Sequence, residues 1–438
     1  MSILQRLFGS SGSEKQHPTV VFGRYTDAYK PSDGFDRAVA LFESGEIMPA
    51  YQLFLEYLRD EQEENIQWRT EGNTLHFDFW QGSQHIYGTA TPEKVRVESK
   101  VVHAGELNIG FLRRLMEYNF RLKFSRFTLD DENCLTIVFD TFTEDGSPLK
   151  LMHALRELAI HADKQDDLLL EEFRSLSPAE PRLFGELPEA EKQVKYQFIQ
   201  SSIDRLADLL ENGKPEAEKY PSNYAYLILA LAFKLDYLVK PEGFMMDTLE
   251  KIRGIFFLKS ERNAQMKISA ARKEFQKLQT RDEAALAREM YRTKNTFGIN
   301  PAVNHNTIVS MIDGELPKMD WPQQQGYEHL ALAVPDYIVG FTLFHHTPPR
   351  PDKELLHLYL QIREQAFFQA LGFEQVWHSN GVFDKKAITQ EIKAIAERNR
   401  KQYPHLKPDF GLLEFENACA FFRSFLILLK NLNLSTAP

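Results

Sequence analysis

From Phe35 the apolar positions fall at helical spacing: Phe35, Ala38, Val39 and Phe42 recur at i, i+3, i+4 and i+7, one face of an α-helix. A second helix follows Gly45, with Tyr51, Phe54, Leu55 and Leu58 on one side. The period then changes to two. Leu75, Phe77 and Phe79 alternate with Thr74, His76, Asp78 and Trp80, the pattern of a strand with one buried face, and Gln81-Gly82-Ser83 marks a turn. Residues 85–90 and 94–102 predict two further strands, the second from Val95, Val97 and Val101. Residues 108–118 return to helix, with a stripe of Ile109, Leu112, Leu115 and Met116. Leu122 and Phe124 share a strand face, but the phase slips to Phe127 and Leu129, which predicts a β-bulge at Ser125-Arg126. Leu135, Ile137 and Phe139 complete that hairpin, and a long helix over 149–173 turns Leu151, Leu155, Leu158, Ala159 and Ala162 inward.

Pro178, Pro181, Gly185 and Pro188 then crowd into a stretch that neither a helix nor a central strand tolerates. Everything beyond reads as helix, interrupted at Gly213, Pro241, Pro301, Pro317, Pro322, the prolines of 348–351, Gly381, Pro404 and Pro408. No period-two run there is long enough for a sheet. The fold class is therefore α+β. A tail and extended lead-in (1–33) precede an α-β-β-β-α-β-β-α unit with an antiparallel sheet (34–175). A linker (176–188) then leads to an all-helical domain (189–434).

Composition fits two domains, because 438 residues exceed the size at which one core keeps growing. The 33 Phe and 16 Tyr supply those cores and leave a surplus for grooves. A net charge of −10 disfavours attraction to nucleic acid or anionic lipid over the whole surface. Cys134 and Cys419 sit far apart in apolar contexts, which points to buried thiols in a reducing compartment. The first 17 residues lack a signal-peptide layout. The most apolar helices carry Lys234, Asp236, Arg423 and Lys430 and fall short of a membrane span. A cytoplasmic location, without membrane attachment, is expected.

The segment 35–173 resembles the type III secretion chaperone-like fold, in particular YbjN-like proteins. The resemblance is carried by the helix ending 51–58 (YQLFLEYL), the strand 75–79 (LHFDF), and the hairpin formed by 120–127 (FRLKFSRF) with 135–139 (LTIVF). It implies binding of partner segments over the antiparallel sheet, frequent dimerisation, and no family-wide catalytic residue. The helical extension departs from the pattern and could cover the usual dimer or client surface.

Candidate chemistry is sparse. His153, Glu157 and His161 lie at i, i+4 and i+8, with His153 and Glu157 expected to face solvent. The run 163–167 lacks the glycine and closing Glu of a calcium loop and reads as a solvated turn. Glu354 and His357 form one E-x-x-H, where a di-iron bundle needs two and further glutamates, so no metal is expected and these two are the residues to watch. His345-His346 ends a helix, where the dipole favours histidine. Between Lys251 and Arg281, nine Lys or Arg interleave with Phe256, Phe257 and Phe275. Phosphate-loop, dinucleotide, nucleophile-elbow and zinc-protease signatures are missing.

These readings lead to a non-catalytic protein-binding or scaffolding module. Its partner is a protein or peptide segment, no cofactor is needed, and it acts as a monomer or homodimer. Phe77, Phe79, Trp80, Phe124 and Phe127 are the expected contact residues. Two alternatives stand: an enzyme whose site in the helical domain gathers His305, Glu328, His329, His345 or His357, and a nucleic-acid factor using the basic 251–281 segment.

Overall fold

The computed structural model describes residues 20–23, 33–60, 64–107, 109–180, 185–297 and 302–435. Most of the 1–33 lead-in, together with Pro181 and Pro301, lies outside them. The chain is α+β, with an antiparallel sheet in its first half and helices in its second. The first half runs α1 (Asp33–Glu43), α2 (Ile47–Leu58), β1 (Ile66–Glu71), β2 (Thr74–Gly82), β3 (Gln84–Ala90), β4 (Lys94–Ala104), α3 (Ile109–Asn119), β5 (Arg126–Leu129), β6 (Cys134–Phe142) and α4 (Pro148–Glu172). The main sheet order is β1-β2-β3-β4-β6-β5.

β1 is a strand that periodicity does not announce. Only Ile66 is buried in it, because an edge strand hydrogen-bonded to β2 is stabilised by its backbone and needs no alternating apolar face. The bulge also moves. It falls in β4 between Lys100 and Val102, while the phase slip near Ser125 marks the end of a turn and the start of β5.

One sheet face and the inner sides of α1, α2 and α4 form a single core. Leu75, Phe77, Phe79, Val95, Val97, Leu135, Ile137 and Phe139 meet Tyr51, Phe54, Leu155 and Leu158 there. Phe77 lies flat across Gly88 of the neighbouring strand, where a Cβ would come within 2.1 Å of the ring. Phe77, Phe79 and Phe127 are therefore core residues, 6%, 0% and 5% exposed, and not the partner contacts expected of them. The alternation that made them conspicuous is itself the signature of burial.

The proline-rich segment read as a linker supplies β7 (Leu176–Pro178), which pairs with β4 beyond the end of β3. The chain continues through β8 (Gly185–Glu186), α5 (Glu189–Asn212), α6 (Pro221–Val239), α7 (Gly243–Phe257), α8 (Ala264–Gln279), α9 (Glu283–Arg288), β9 (Tyr291–Arg292), β10 (Lys294–Asn295), α10 (His305–Glu315), α11 (Asp320–Gln324), α12 (Glu328–His345), α13 (Arg350–Arg363), α14 (Gln365–Ala370), β11 (His378–Ser379), β12 (Val382–Phe383), α15 (Lys385–Asn399) and α16 (Ala418–Lys430). The region is helical apart from two-residue pairings: β8 with β9, β11 with β12, and β10 with β2. Pairings that short leave no period-two signal. Among the described residues no helix is long and apolar enough to cross a membrane.

β10 matters most, because it brings the helical half back into the N-terminal sheet. Asn295 Oδ1 accepts from Gln81 Nε2 and from the Gly82 N–H, both at 3.2 Å. The Phe297 N–H donates to Gln81 Oε1 at 2.9 Å, and Thr296 Oγ1 donates to the Trp80 carbonyl at 2.8 Å. The Phe297 ring then enters the N-terminal core, 5.5 Å from Phe79 and nearly perpendicular to it. In the other direction, Phe22 of the lead-in docks on the helical half against His357 and Phe368, while the Gly23 N–H donates to the Tyr237 carbonyl.

Candidate functional site

Much of the polar chemistry on the outer face of the sheet is paired between neighbouring side chains. Arg96 pairs with Glu98 at 2.7 Å and Lys94 with Asp140 at 2.6 Å. Trp80 stacks on His85 with ring centres 4.2 Å apart, and His85 bonds Asp78 at 2.8 Å and the Tyr87 hydroxyl at 2.6 Å. Of the five aromatic residues expected to contact a partner, Trp80 is thus half-buried against its neighbour, and Phe124 alone is exposed, beside His153.

Several polar residues read as solvated turn out to hold the fold. Glu157 accepts the backbone N–H groups of Lys123, Phe124 and Ser125 at 2.9 Å and the Ser125 hydroxyl at 2.7 Å. Burial pushes its pKa up, but these four donors outweigh that and hold the carboxyl below its ordinary range. The 163–167 run is likewise inside. Asp163 accepts the Ser83 N–H at 3.0 Å, Asp166 accepts Ser83 Oγ at 2.6 Å and Gln84 Nε2 at 2.7 Å, and Asp167 accepts the Tyr291 hydroxyl at 2.9 Å. The far half of α4 passes beneath the β2–β3 turn, and sequence spacing cannot show that approach. Gly82, in the left-handed region at φ 59°, fits there because a Cβ would strike the Asp163 carboxylate.

The candidate catalytic and metal residues scatter. Glu354 is half-buried and taken by two arginines, Arg350 at 2.7 Å and Arg398 at 3.1 Å. His357, one turn later, points into an aromatic shell of Phe22, Phe368 and Tyr237. His305 pairs with the buried Asp352 at 3.0 Å. His345 packs among Phe233, Phe257, Phe341 and Phe344. Burial pushes the pKa of both His345 and His357 down to about 4, against the smaller opposing effect of the Phe341 carbonyl at His345. Glu328 and His329 alone share a cavity. Among the described residues no group of three or more His, Cys, Asp or Glu is arranged to hold a metal ion.

What the structure does assemble is a wide cleft of about 1300 Å³ between α7, the α7–α8 connection, α8 and the N-terminal half. Seven Lys or Arg line it against three Asp or Glu, in a chain of net charge −10. The acids are already engaged. Asp247 takes Lys251 at 2.5 Å and Lys164 at 3.3 Å, Glu250 takes Lys164 at 2.5 Å, and Glu274 takes Lys277 at 2.7 Å. Arg253 lies over the Phe344 ring. Arg121, Lys259, Arg262 and Lys273 have no carboxylate partner among the described residues and project into solvent. Asn263 caps α8 by accepting the Met266 N–H at 2.8 Å, and this fixes the connection that carries Lys259 and Arg262.

The cleft has apolar lips: Phe257, Leu258 and Met266 are 49%, 70% and 54% exposed. A second apolar surface leads to it. On α3 the sequence offers two stripes at helical spacing, and the structure buries Phe111 and Leu115. That leaves Ile109, Leu112, Met116 and, just past the helix, Phe120 outward, so three of the four residues expected to face the core face solvent. Phe120 immediately precedes the cleft residue Arg121. Within the 251–281 segment, sequence marked the charge and the interleaved phenylalanines. Arg121 and Lys164 were not read as part of that basic patch, since only folding brings them to the same cleft. No family model matches the chain, and no curated protein is significantly similar to it.

Proposed function

We propose that this chain is a non-catalytic protein-binding module whose cleft takes up an acidic segment of a partner protein flanked by apolar side chains. The observation that carries this reading is the set of four uncompensated cations, Arg121, Lys259, Arg262 and Lys273, beside exposed Phe257, Leu258 and Met266. Cations without partners in an otherwise acidic molecule focus attraction on one place and leave the rest of the surface repulsive to polyanions. A short segment fits within that focus, whereas a long polynucleotide would also meet the acidic remainder. The apolar lips and the α3 ridge add area that a peptide side chain can bury and a phosphate backbone cannot use. Binding of partner segments is also what the resemblance to type III secretion chaperone-like proteins implies, there over the sheet and here at a different surface.

Fluorescence anisotropy with a labelled peptide of alternating Asp/Glu and Leu/Phe tests the proposal. Binding at about 100 mM salt is expected to weaken on raising the salt and to fall ~10-fold or more in R262E/K273E. Duplex nucleic acid of equal charge binding more tightly than the peptide would replace this reading with the nucleic-acid one. Peptide binding unchanged by the double charge reversal would remove the cleft from it.

A further inference from the structure

A separate cavity of about 960 Å³, open to solvent on one side, lies wholly within the helical half and is bordered by α5, α6, α12 and the α13–α14 corner. That is the size of pockets that bury most of a small organic molecule. Much of its lining is apolar, including Leu206, Leu227, Leu231 and Phe367. The remainder contains a chain of four largely buried charges. Glu364 takes Lys234 at 2.5 Å, Lys234 lies 3.8 Å from Asp336, and Asp336 accepts Arg363 Nε at 3.1 and 3.2 Å together with the Tyr359 hydroxyl at 2.7 Å.

Both carboxylates of this chain are taken, but Arg363 is not exhausted. Its Nε alone is engaged, Phe422 covers it with a ring centre 5.6 Å from the guanidinium carbon, and its terminal nitrogens hydrogen-bond to no described residue. Withdrawing ion pairs from water costs more than their attraction commonly offsets, so stability is a poor reason for placing four charges on a cavity wall. Arg363 therefore keeps unused donors on a wall that also carries Asp204, Arg205 and Glu328, and the aliphatic and aromatic side chains beside it supply an apolar surface, a combination that matches a ligand with one anionic end and an apolar body.

We infer that this cavity binds an amphipathic monocarboxylate, its carboxylate held by the terminal nitrogens of Arg363 and its apolar body laid along Leu206, Leu227, Leu231 and Phe367. This site is independent of the docking cleft, and either can fail without the other.

Isothermal titration of the full chain with decanoate below its micelle concentration tests the inference, with decyltrimethylammonium as the head-group control. Saturable one-to-one binding of decanoate is expected, with the ammonium analogue at least ~10-fold weaker because it forfeits a charge-assisted hydrogen-bonded pair. Ala366, exposed on α14 and lining the cavity, is the conservative place to fill it. A366W is expected to lose decanoate binding ~10-fold or more while folding normally, by occupying the volume the ligand needs. R363Q is expected to narrow the difference between the two head groups. The inference is overturned if decanoate does not bind the wild-type chain, if A366W binds it as tightly, or if the ammonium analogue binds equally well.

Discussion

Replacing Phe297 by alanine tests whether the N-terminal sheet depends on the helical half for part of its core. The ring is 3% exposed and meets the fully buried Phe79 edge to face at 5.5 Å, inside a core whose other members all lie before residue 177. Truncating a buried phenylalanine costs about 3–5 kcal/mol, through lost transfer energy and the cavity left behind. The hydrogen bonds of Asn295, Thr296 and the Phe297 backbone survive that substitution, so the full chain is expected to fold with reduced stability. A fragment ending at residue 180 loses the ring and those bonds together, and strips Gln81 Nε2 and Oε1 of their partners, while Asn65 loses Thr296 but keeps the Leu58 carbonyl and the Asp60 N–H. Each orphaned group adds about 1–3 kcal/mol. Against the ~5–15 kcal/mol stability of an ordinary domain, the fragment is expected not to fold alone. The chain has four tryptophans, and Trp68 and Trp80 report on the sheet. Urea unfolding followed by fluorescence in a Trp321→Phe, Trp377→Phe background therefore reads the sheet directly. A Phe297→Ala loss below about 1 kcal/mol, or a fragment unfolding at the full-length midpoint, would refute the dependence.

Three further outcomes are expected. Glu157→Gln sets an amide N–H₂ against one of the donors that Glu157 now accepts, and is expected to cost about 1–3 kcal/mol in urea unfolding. The Glu157 contribution is complete above the ordinary glutamate range and fades as pH falls through that range toward its depressed folded value, so the variant should flatten stability in that acidic window. His345 and His357 are held neutral, with folded values near 4 against 6.5. Their contribution is whole above pH 6.5 and is lost as pH falls toward 4, so a thermal midpoint measured between pH 7 and 4 should drop less in H345F/H357F than in wild type. An equal drop in both chains would mean that neither histidine is buried as described. Gly88→Ala forces the Phe77 ring aside and is expected to cost about 1–3 kcal/mol by chemical denaturation, while an unchanged midpoint would show that the ring can move freely.

Hydrophobic rhythm alone determined much of this architecture. Period two at 75–79, 95–97 and 135–139 and period 3.6 at 35–42, 51–58 and 151–162 are local consequences of how a strand or helix presents its side chains, and each emerged at its expected place. What rhythm could not decide was which of two admissible faces turns inward. On α3 both stripes satisfy the helical period, and only packing on Phe173 and Phe127 selects Phe111 with Tyr118 over Ile109 with Met116. Nor could it find β1 or β10, whose places rest on backbone hydrogen bonds that any side chain allows. The candidate cleft divides the same way. Its charge was legible between Lys251 and Arg281, but whether a cation is free is a matter of distance to a carboxylate, and distances between residues as far apart as Arg121 and Lys273 exist only once the chain has folded. Period is a property of neighbours along the chain. Pairing belongs to neighbours in space.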